Sequence, residues 1–475
     1  MLRPLIVRAC LAVLPLIGGA CSKTPPNVLV VVIDTLRVDR VTAKAGDAAV
    51  MPFLHGLAER GAFFSNAHAQ SSWTNPSVAT IFTSRYQSQH RITAFNSTLA
   101  EEELTLAEVL REHGYATGGF IANVLLRAKL GFGQGFDRYE TYARQDRGGN
   151  DDPAFAKPRA ERINRESLAW LDERRRTEPH RPVFLYLHFM EPHNPYDPPD
   201  PYLERVLRGR PRPDVADVNR RMAVSTVATF DEQQVQAMRD CYDAEAASVD
   251  AALRDLFEQL RSRGFLDDCI VVITADHGEE MHEHGLMGHD QTLYEEVLRV
   301  PLIVLAPGTH DGTTVSGIVS LVAVAPTVLD LAGIAVPTAF EGRSLRAQMP
   351  GRQSWWPFRA AGSTSGPEPP GGGIGIAYSE LIKDPGATHL RPHERAVVTE
   401  SAKLISNVDG TSEFYDLRTD PAEAHPDEVG PEARAALSQL LVDFTARTAG
   451  APPSSSRVIL DDQTRERMRA LGYQE

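Results

Sequence analysis

Cysteine is scarce in this chain, with 4 in 475 residues. Cys10 and Cys21 lie at the amino terminus, which leaves Cys241 and Cys269 either to pair with one another or to remain as two buried thiols. Basic runs are missing too. The formal net charge is −14, a balance that suits nucleic acid poorly, so an anionic ligand would depend on a metal or on local His and Arg charge. Past the amino terminus no apolar run is long enough to cross a bilayer. No internal repeat is visible. What remains is ordinary for a soluble globule: 42% hydrophobic and 24% charged, enough chain for one large domain and a smaller one.

The amino terminus reads as an export signal over residues 1–20. Arg3 and Arg8 precede an apolar run from Ala9 to Ala20, too short to span a membrane. Gly18-Gly-Ala-Cys21 has the small residues and the cysteine of a lipoprotein cleavage site, with Ser22 to Pro26 as a short tether. The alternative is ordinary cleavage near Ala20. The expected location is periplasmic or outer-membrane as a lipoprotein, or else secreted. Membrane contact is expected only through that lipid anchor.

Four segments carry the chemistry. Cys269-Ile-Val-Val-Ile273 reads as a buried strand and runs into Thr274-Ala-Asp276-His277-Gly-Glu279, which sets a carboxylate and an imidazole at a strand's carboxyl end. Val28 to Ile33 is a second apolar strand and ends in Asp34. In open α/β sheets that rim is where ligands and metals sit. In Ser71-Ser-Trp-Thr74-Asn-Pro76, Pro76 suits the first turn of a helix, so Thr74 lies just before or at the N-cap. Val183-Phe-Leu-Tyr-Leu187 is a third strand, leading into His188-Phe-Met-Glu-Pro-His193-Asn-Pro-Tyr-Asp-Pro-Pro199. Two carboxylates, a helix-start hydroxyl and several histidines together point to a metal-assisted nucleophile.

In this order the motifs resemble the sulfatase branch of the alkaline phosphatase superfamily. Tyr294-Glu-Glu-Val-Leu-Arg-Val-Pro301, Ala325 to Gly333, Gly342-Arg-Ser-Leu345, and Glu413-Phe-Tyr-Asp-Leu417 with Asp420-Pro-Ala-Glu423 extend the resemblance over about residues 26 to 425. It implies an α/β fold: a mostly parallel central sheet flanked by helices, with a small C-terminal antiparallel subdomain. It also implies that Asp34, Thr74, Asp276 and His277 hold one divalent metal ion. His193 and His289 would then assist catalysis or hold a second metal. Oxygen ligands suit Ca²⁺, Mg²⁺ or Mn²⁺, and added imidazole moves the set toward Zn²⁺ or Mn²⁺.

The departures from the family pattern are informative. Sulfatases carry Cys or Ser where Thr74 stands, and Arg where Val78 stands. That Cys or Ser is converted to formylglycine, whose second hydroxyl can expel sulfate by C–O cleavage. A threonine ester has no such exit, so Thr74 favours attack by water at phosphorus. The expected function is a hydrolase of phosphate, phosphonate or sulfate esters acting on a small molecule or a glycan or lipid ester. The resemblance to phosphoethanolamine transferases leaves a phospho-group transferase of the envelope as the alternative, and a binding protein that kept only the fold as a third reading.

The expected organisation is a catalytic domain over 26–350, a Gly/Pro-rich linker or insertion over 351–374, and a C-terminal subdomain over 375–475 ending in a helix. Strands are expected at 116–121 and 269–274, with a long helix from Asp231 to Arg263. Segments 124–160 and 195–230 read as specificity loops. Glu191 reads as a solvated loop carboxylate, Arg37 and Arg85 as salt-bridge residues, and Asn123 as an even choice between substrate contact and support.

Overall fold

The computed structural model describes residues 25–42, 44–45, 48–142, 157–223, 229–307, 312–349, 374–383, 393–449 and 457–460, with Asp462, Arg465 and Met468 beyond. The expected export signal, its lipidation site and nearly all of the 351–374 linker lie outside these residues.

The strands that matter are β1 (Asn27–Ile33), β2 (Ala62–His68), β3 (Ala116–Ile121), β4 (Arg138–Thr141), β5 (Val183–Phe189), β6 (Cys269–Thr274), β7 (Arg299–Leu305), β8 (Thr313–Val315) and β9 (Val319–Ser320). They form one sheet in the order β8-β2-β7-β6-β1-β5-β3-β4, with β9 also on β2. From β6 to β4 the pairing is parallel; β7 runs antiparallel to both of its neighbours. Every residue of β3, β5 and β6 is buried. Such continuous apolar runs are what a parallel sheet covered on both faces requires.

Helices α1 (Thr74–Thr83), α2 (Ala160–Thr177), α3 (Asp200–Leu207), α4 (Val215–Met222) and α5 (Glu232–Ser262) flank the sheet. Two of them correct the reading of 195–230 as loop: α3 has Pro201 in its first turn, and α4 is capped by Asp214, which accepts the Asp217 N–H. Helix α5 follows the expected long helix closely. Asp231 caps it, bonding the Gln234 N–H while the Gln234 side chain returns to the Asp231 N–H. Helix α2 seats Trp170 on β3 where Gly118 leaves room. A Cβ there would stand 2.6 Å from the indole ring, so the strand's glycine is a packing requirement. Cys241 and Cys269 are both buried and unpaired.

The C-terminal part forms an antiparallel sheet of β10 (Ile376–Glu380), β11 (His393–Thr399), β12 (Ala402–Asn407) and β13 (Ser412–Asp416) in sequence order, covered by helix α6 (Pro431–Thr448). It locks to the main body in two ways. Tyr86 meets Phe444 edge-on at 4.8 Å between centroids, and Phe444 stacks on Tyr378 at 4.3 Å. Lys403, fully buried on β12, bridges Glu295 at 3.0 Å and Glu423 at 2.8 Å. His284, Glu296 and Glu423 lie close together at the same seam.

Candidate active site

The register of the sheet builds the site. Val32 of β1 is level with His188 of β5 on one side and with Thr274 of β6 on the other. Asp34 and Asp276 each follow two residues later, so they emerge side by side from adjacent parallel strands. Past β1 the chain turns sharply at Thr35, whose φ of 56° lies in the left-handed region. That turn aims the Thr35 N–H at Asp276 Oδ1, at 3.3 Å. The Tyr242 hydroxyl of α5 donates to the Thr35 carbonyl at 2.7 Å.

The second strand end is fixed by Gly278. Its N–H donates to the Val297 carbonyl at 2.9 Å, and a Cβ there would lie 2.0 Å from the Glu296 carbonyl oxygen. Only glycine admits this approach, which explains why a glycine follows the Asp276-His277 pair.

Thr74 is the first helical residue of α1, with Trp73 as N-cap, so it stands one position later than an N-cap placement. The helix is buried along its whole length, and Ser77 donates to the Asp276 carbonyl. Thr74 Oγ1 lies 3.4 Å from His277 Nε2. That nitrogen is 3.7 Å from Asp34 Oδ1 and 3.6 Å from Asp276 Oδ2. The structure therefore brings Asp34, Thr74, Asp276 and His277 to one point, all fully buried or nearly so. One ligand atom from each of Asp34, Asp276 and His277 lies within 4.8 Å of the others.

Within each carboxylate the two oxygens differ. Asp34 Oδ2 accepts the Asn123 side-chain N–H at 2.7 Å, and Asp276 Oδ1 accepts the His277 N–H at 2.9 Å. Asn123 thus supports Asp34 and is itself held by the Leu125 N–H on its Oδ1. Asp34 Oδ1 and Asp276 Oδ2 have no hydrogen-bond partner. Two buried carboxylate oxygens without hydrogen-bond partners, facing an imidazole, fit a divalent cation. Burial, and next the charge of Asp276, raise the Asp34 pKa well above the usual carboxylate range. Burial also pushes Asp276 upward, but the neighbouring His277 and His188 outweigh it and hold that carboxyl low.

His193 and His289 join from the loops. Their rings lie 4.9 Å apart, and His289 lies 4.6 Å from the His277 ring. His289 Nδ1 shares a 2.9 Å hydrogen bond with Glu279 Oε1, and His193 Nδ1 is bonded to the Asn194 carbonyl. Burial, then the proximity of His277, lowers His289 to about 3. Burial, then His289, lowers His193 as well. Both rings are therefore neutral at ordinary pH. Glu279 is pushed by burial to about 8.

Glu191 is buried, contrary to its reading as a solvated carboxylate. It accepts the Ala160 N–H at 3.0 Å at the start of α2 and pairs with Arg159 at 3.7 Å. Arg37 and Arg85 form the expected salt bridges, with Asp39 and Glu283 and with Glu103. Sequence reasoning missed three residues. Lys157, buried, donates to the His193 carbonyl at 2.6 Å and pairs with Glu245 at 3.2 Å. Glu279 supports His289. His188, the next-to-last residue of β5, stands 4.0 Å from Asp34 Oδ2 and 3.8 Å from Asp276 Oδ2; sequence alone gives it no role beyond opening a polar segment.

The fold is alkaline-phosphatase-like, with its polar cluster at the carboxyl ends of central parallel strands. The Sulfatase family model matches residues 26–334; the chain belongs to the sulfatase family. It is 29% identical over 372 residues to arylsulfatase K of Bos taurus, an alignment covering 69% of this chain and 66% of that protein. This chain therefore spans just under two thirds of that relative's length. Among solved structures, one described as in complex with its substrate D-glucosamine-2-N,6-O-disulfate superposes with a TM-score of 0.70 at 21% identity, covering 90% of this chain and 99% of that one. The phosphonate monoester hydrolase of Agrobacterium radiobacter gives 0.69 at 20% identity, covering 92% and 98%.

Proposed function

We propose that this protein is a metal-dependent ester hydrolase that works through Thr74 on phosphate, phosphonate or sulfate esters of small molecules, glycans or lipids. The supporting observation is the 3.4 Å approach of Thr74 Oγ1 to His277 Nε2, beside two carboxylates that each keep one bare oxygen. Asp34, Asp276, His277 and Thr74 would hold the divalent ion, whose charge stabilises an anionic ester and makes a nearby hydroxyl more acidic.

Thr74 Oγ attacks phosphorus or sulfur and the ester's alcohol leaves, taking up the proton that Thr74 gives up. A covalent Thr74 ester results. Water then attacks the same phosphorus or sulfur, returning the hydroxyl to Thr74 and releasing the inorganic or phosphonic acid. His193 commits its Nδ1–H to the Asn194 carbonyl, so the neutral ring offers Nε2 as a lone pair suited to a second cation, while His289, bonded through Nδ1 to Glu279, is suited to donate from Nε2 to a non-bridging oxygen when Glu279 carries the proton. Kinship with both sulfatases and a phosphonate monoester hydrolase supports the range of esters. The chain's amino-terminal export pattern supports action in the cell envelope or outside the cell, where a lipid anchor at Cys21 would tether it.

Thr74→Ala tests the reading. Turnover of a nitrophenyl phosphate, phosphonate, diester and sulfate panel should fall roughly 10³-fold or more, with the melting temperature kept. Activity within a few-fold of the parent would remove Thr74 from the mechanism.

A further inference from the structure

We infer that His188 is a ligand of the active-site cation, and that the resulting donor set of two carboxylates and two imidazoles selects a transition metal such as Zn²⁺ over Ca²⁺. This inference rests on the metal-dependent reading above and adds to it the identity of a ligand and the class of ion.

The His188 backbone belongs to β5, level with Val32 on one side and Ile121 on the other. Its side chain is fully buried. Nε2 lies 4.0 Å from Asp34 Oδ2 and 3.8 Å from Asp276 Oδ2, both longer than a hydrogen bond. Neither ring nitrogen has a hydrogen-bond partner. A fully buried imidazole with both nitrogens unsatisfied is a costly arrangement unless something absent from the protein chain completes it.

The neighbouring atoms indicate what completes it. Asp276 Oδ2, the bare oxygen of that carboxylate, is 3.8 Å from His188 Nε2 and 3.6 Å from His277 Nε2. His277 Nε2 is in turn 3.7 Å from the bare Asp34 Oδ1. These separations are too long for direct bonds among the four side chains. They are somewhat longer than the roughly 3.4 Å between ligand atoms of a tetrahedral shell with bonds of about 2.0–2.2 Å; Asp34, Asp276 and His277 form the compact group, and His188 adjoins it through the bare Asp276 Oδ2.

Position 35 bears on the class of ion. Thr35 brings no carboxylate beside Asp34, and its left-handed backbone bonds Asp276 through the N–H. A set of two carboxylates and two imidazoles differs from the oxygen-rich shells that hold Ca²⁺.

The test uses the full chain stripped of metal by chelation. Zn²⁺ and Ca²⁺ affinities are measured by competition with a chromogenic chelator, and the Co²⁺-loaded protein is examined by visible absorption. The wild type should bind Zn²⁺ far more tightly than Ca²⁺. His188→Gln should lose at least about 100-fold in Zn²⁺ affinity, change the Co²⁺ bands, and leave Ca²⁺ binding nearly as it was. His188→Ala serves beside it, and the melting temperatures of the metal-free forms show which variants are folded. A folded variant with wild-type Zn²⁺ affinity and an unchanged Co²⁺ spectrum overturns the inference and leaves the metal-dependent reading intact. A wild type that takes up none of the three ions overturns both.

Discussion

Asp250 offers a test of burial that is independent of the active site. Its two carboxylate oxygens accept the Phe53 and Leu54 N–H groups, at 2.9 and 2.8 Å, where the helix Pro52–Ala58 begins. Burial nevertheless outweighs these bonds and raises its pKa to about 6. A carboxyl raised in the folded state favours folding while protonated, and that contribution is lost as pH climbs from the ordinary carboxylate range through about 6. Asp250→Asn copies the neutral form. Its stability relative to the parent should therefore improve by on the order of 2 kcal/mol between about pH 4 and about pH 8, read from urea midpoints. A constant difference across that range would show that Asp250 titrates normally. At Thr74 the expectation is chemical. The tryptic peptide should carry unmodified threonine by mass, and phosphodiesters or phosphonate monoesters should be cleaved faster than aryl sulfates, because a threonine ester lacks the C–O exit and Val78 replaces an arginine. A clear sulfate preference in metal-replete enzyme would reverse that ranking. Asp34, Thr74, Asp276 and His277 were legible because each follows an abrupt change from apolar run to polar residue, or precedes a helix-starting proline. His188 was not. It too follows an apolar run, but nothing local marks it as a ligand, and its place beside the two aspartates comes from a register with strands distant in sequence.

Among the elements, β3 and α2 depend on one missing side chain. Gly118→Ala would force a Cβ to within 2.6 Å of the Trp170 ring, and either the ring or the strand must move. The expected loss is about 1–3 kcal/mol in denaturant unfolding, with the metal affinity of the distant site unchanged. A neutral substitution would mean that Trp170 repacks freely. Strands such as Ala116–Ile121 and Cys269–Thr274 are bounded in sequence by turn signals, and the long helix Glu232–Ser262 by a capping box. Those local features made them readable. Helices α3 and α4 were hidden because they are short and charged, in a stretch rich in proline and arginine. Leu203 and Leu207 of α3 are buried, with Ala244 of α5 in the same small apolar cluster, a partnership no local window contains.

At the scale of the whole molecule, Lys403 joins the two parts of the chain. It is buried between Glu295 of the main body and Glu423 of the C-terminal segment. Lys403→Ala would leave Glu423 buried without its cation and Glu295 with only the His68 ring at 3.1 Å, and should cost about 3–5 kcal/mol in unfolding free energy. Lys403→Met, which keeps the packing but not the charge, should cost a similar amount. If Met were tolerated and Ala were not, the side chain's volume would matter more than its charge.

The strand order has a consequence for where the ion enters. The parallel neighbours of β1 are β5 and β6, and the Thr35–Asp276 bond alone closes a span of 241 residues. Contacts of such sequence separation form late and slowly. A chain still being made thus holds no assembled set of donors, since Asp276 and His277 reach Asp34 only when the second half of the main sheet has inserted beside it. Assembly of the donor set therefore waits on completion of the fold, so an ion would be taken up in the compartment in which folding ends.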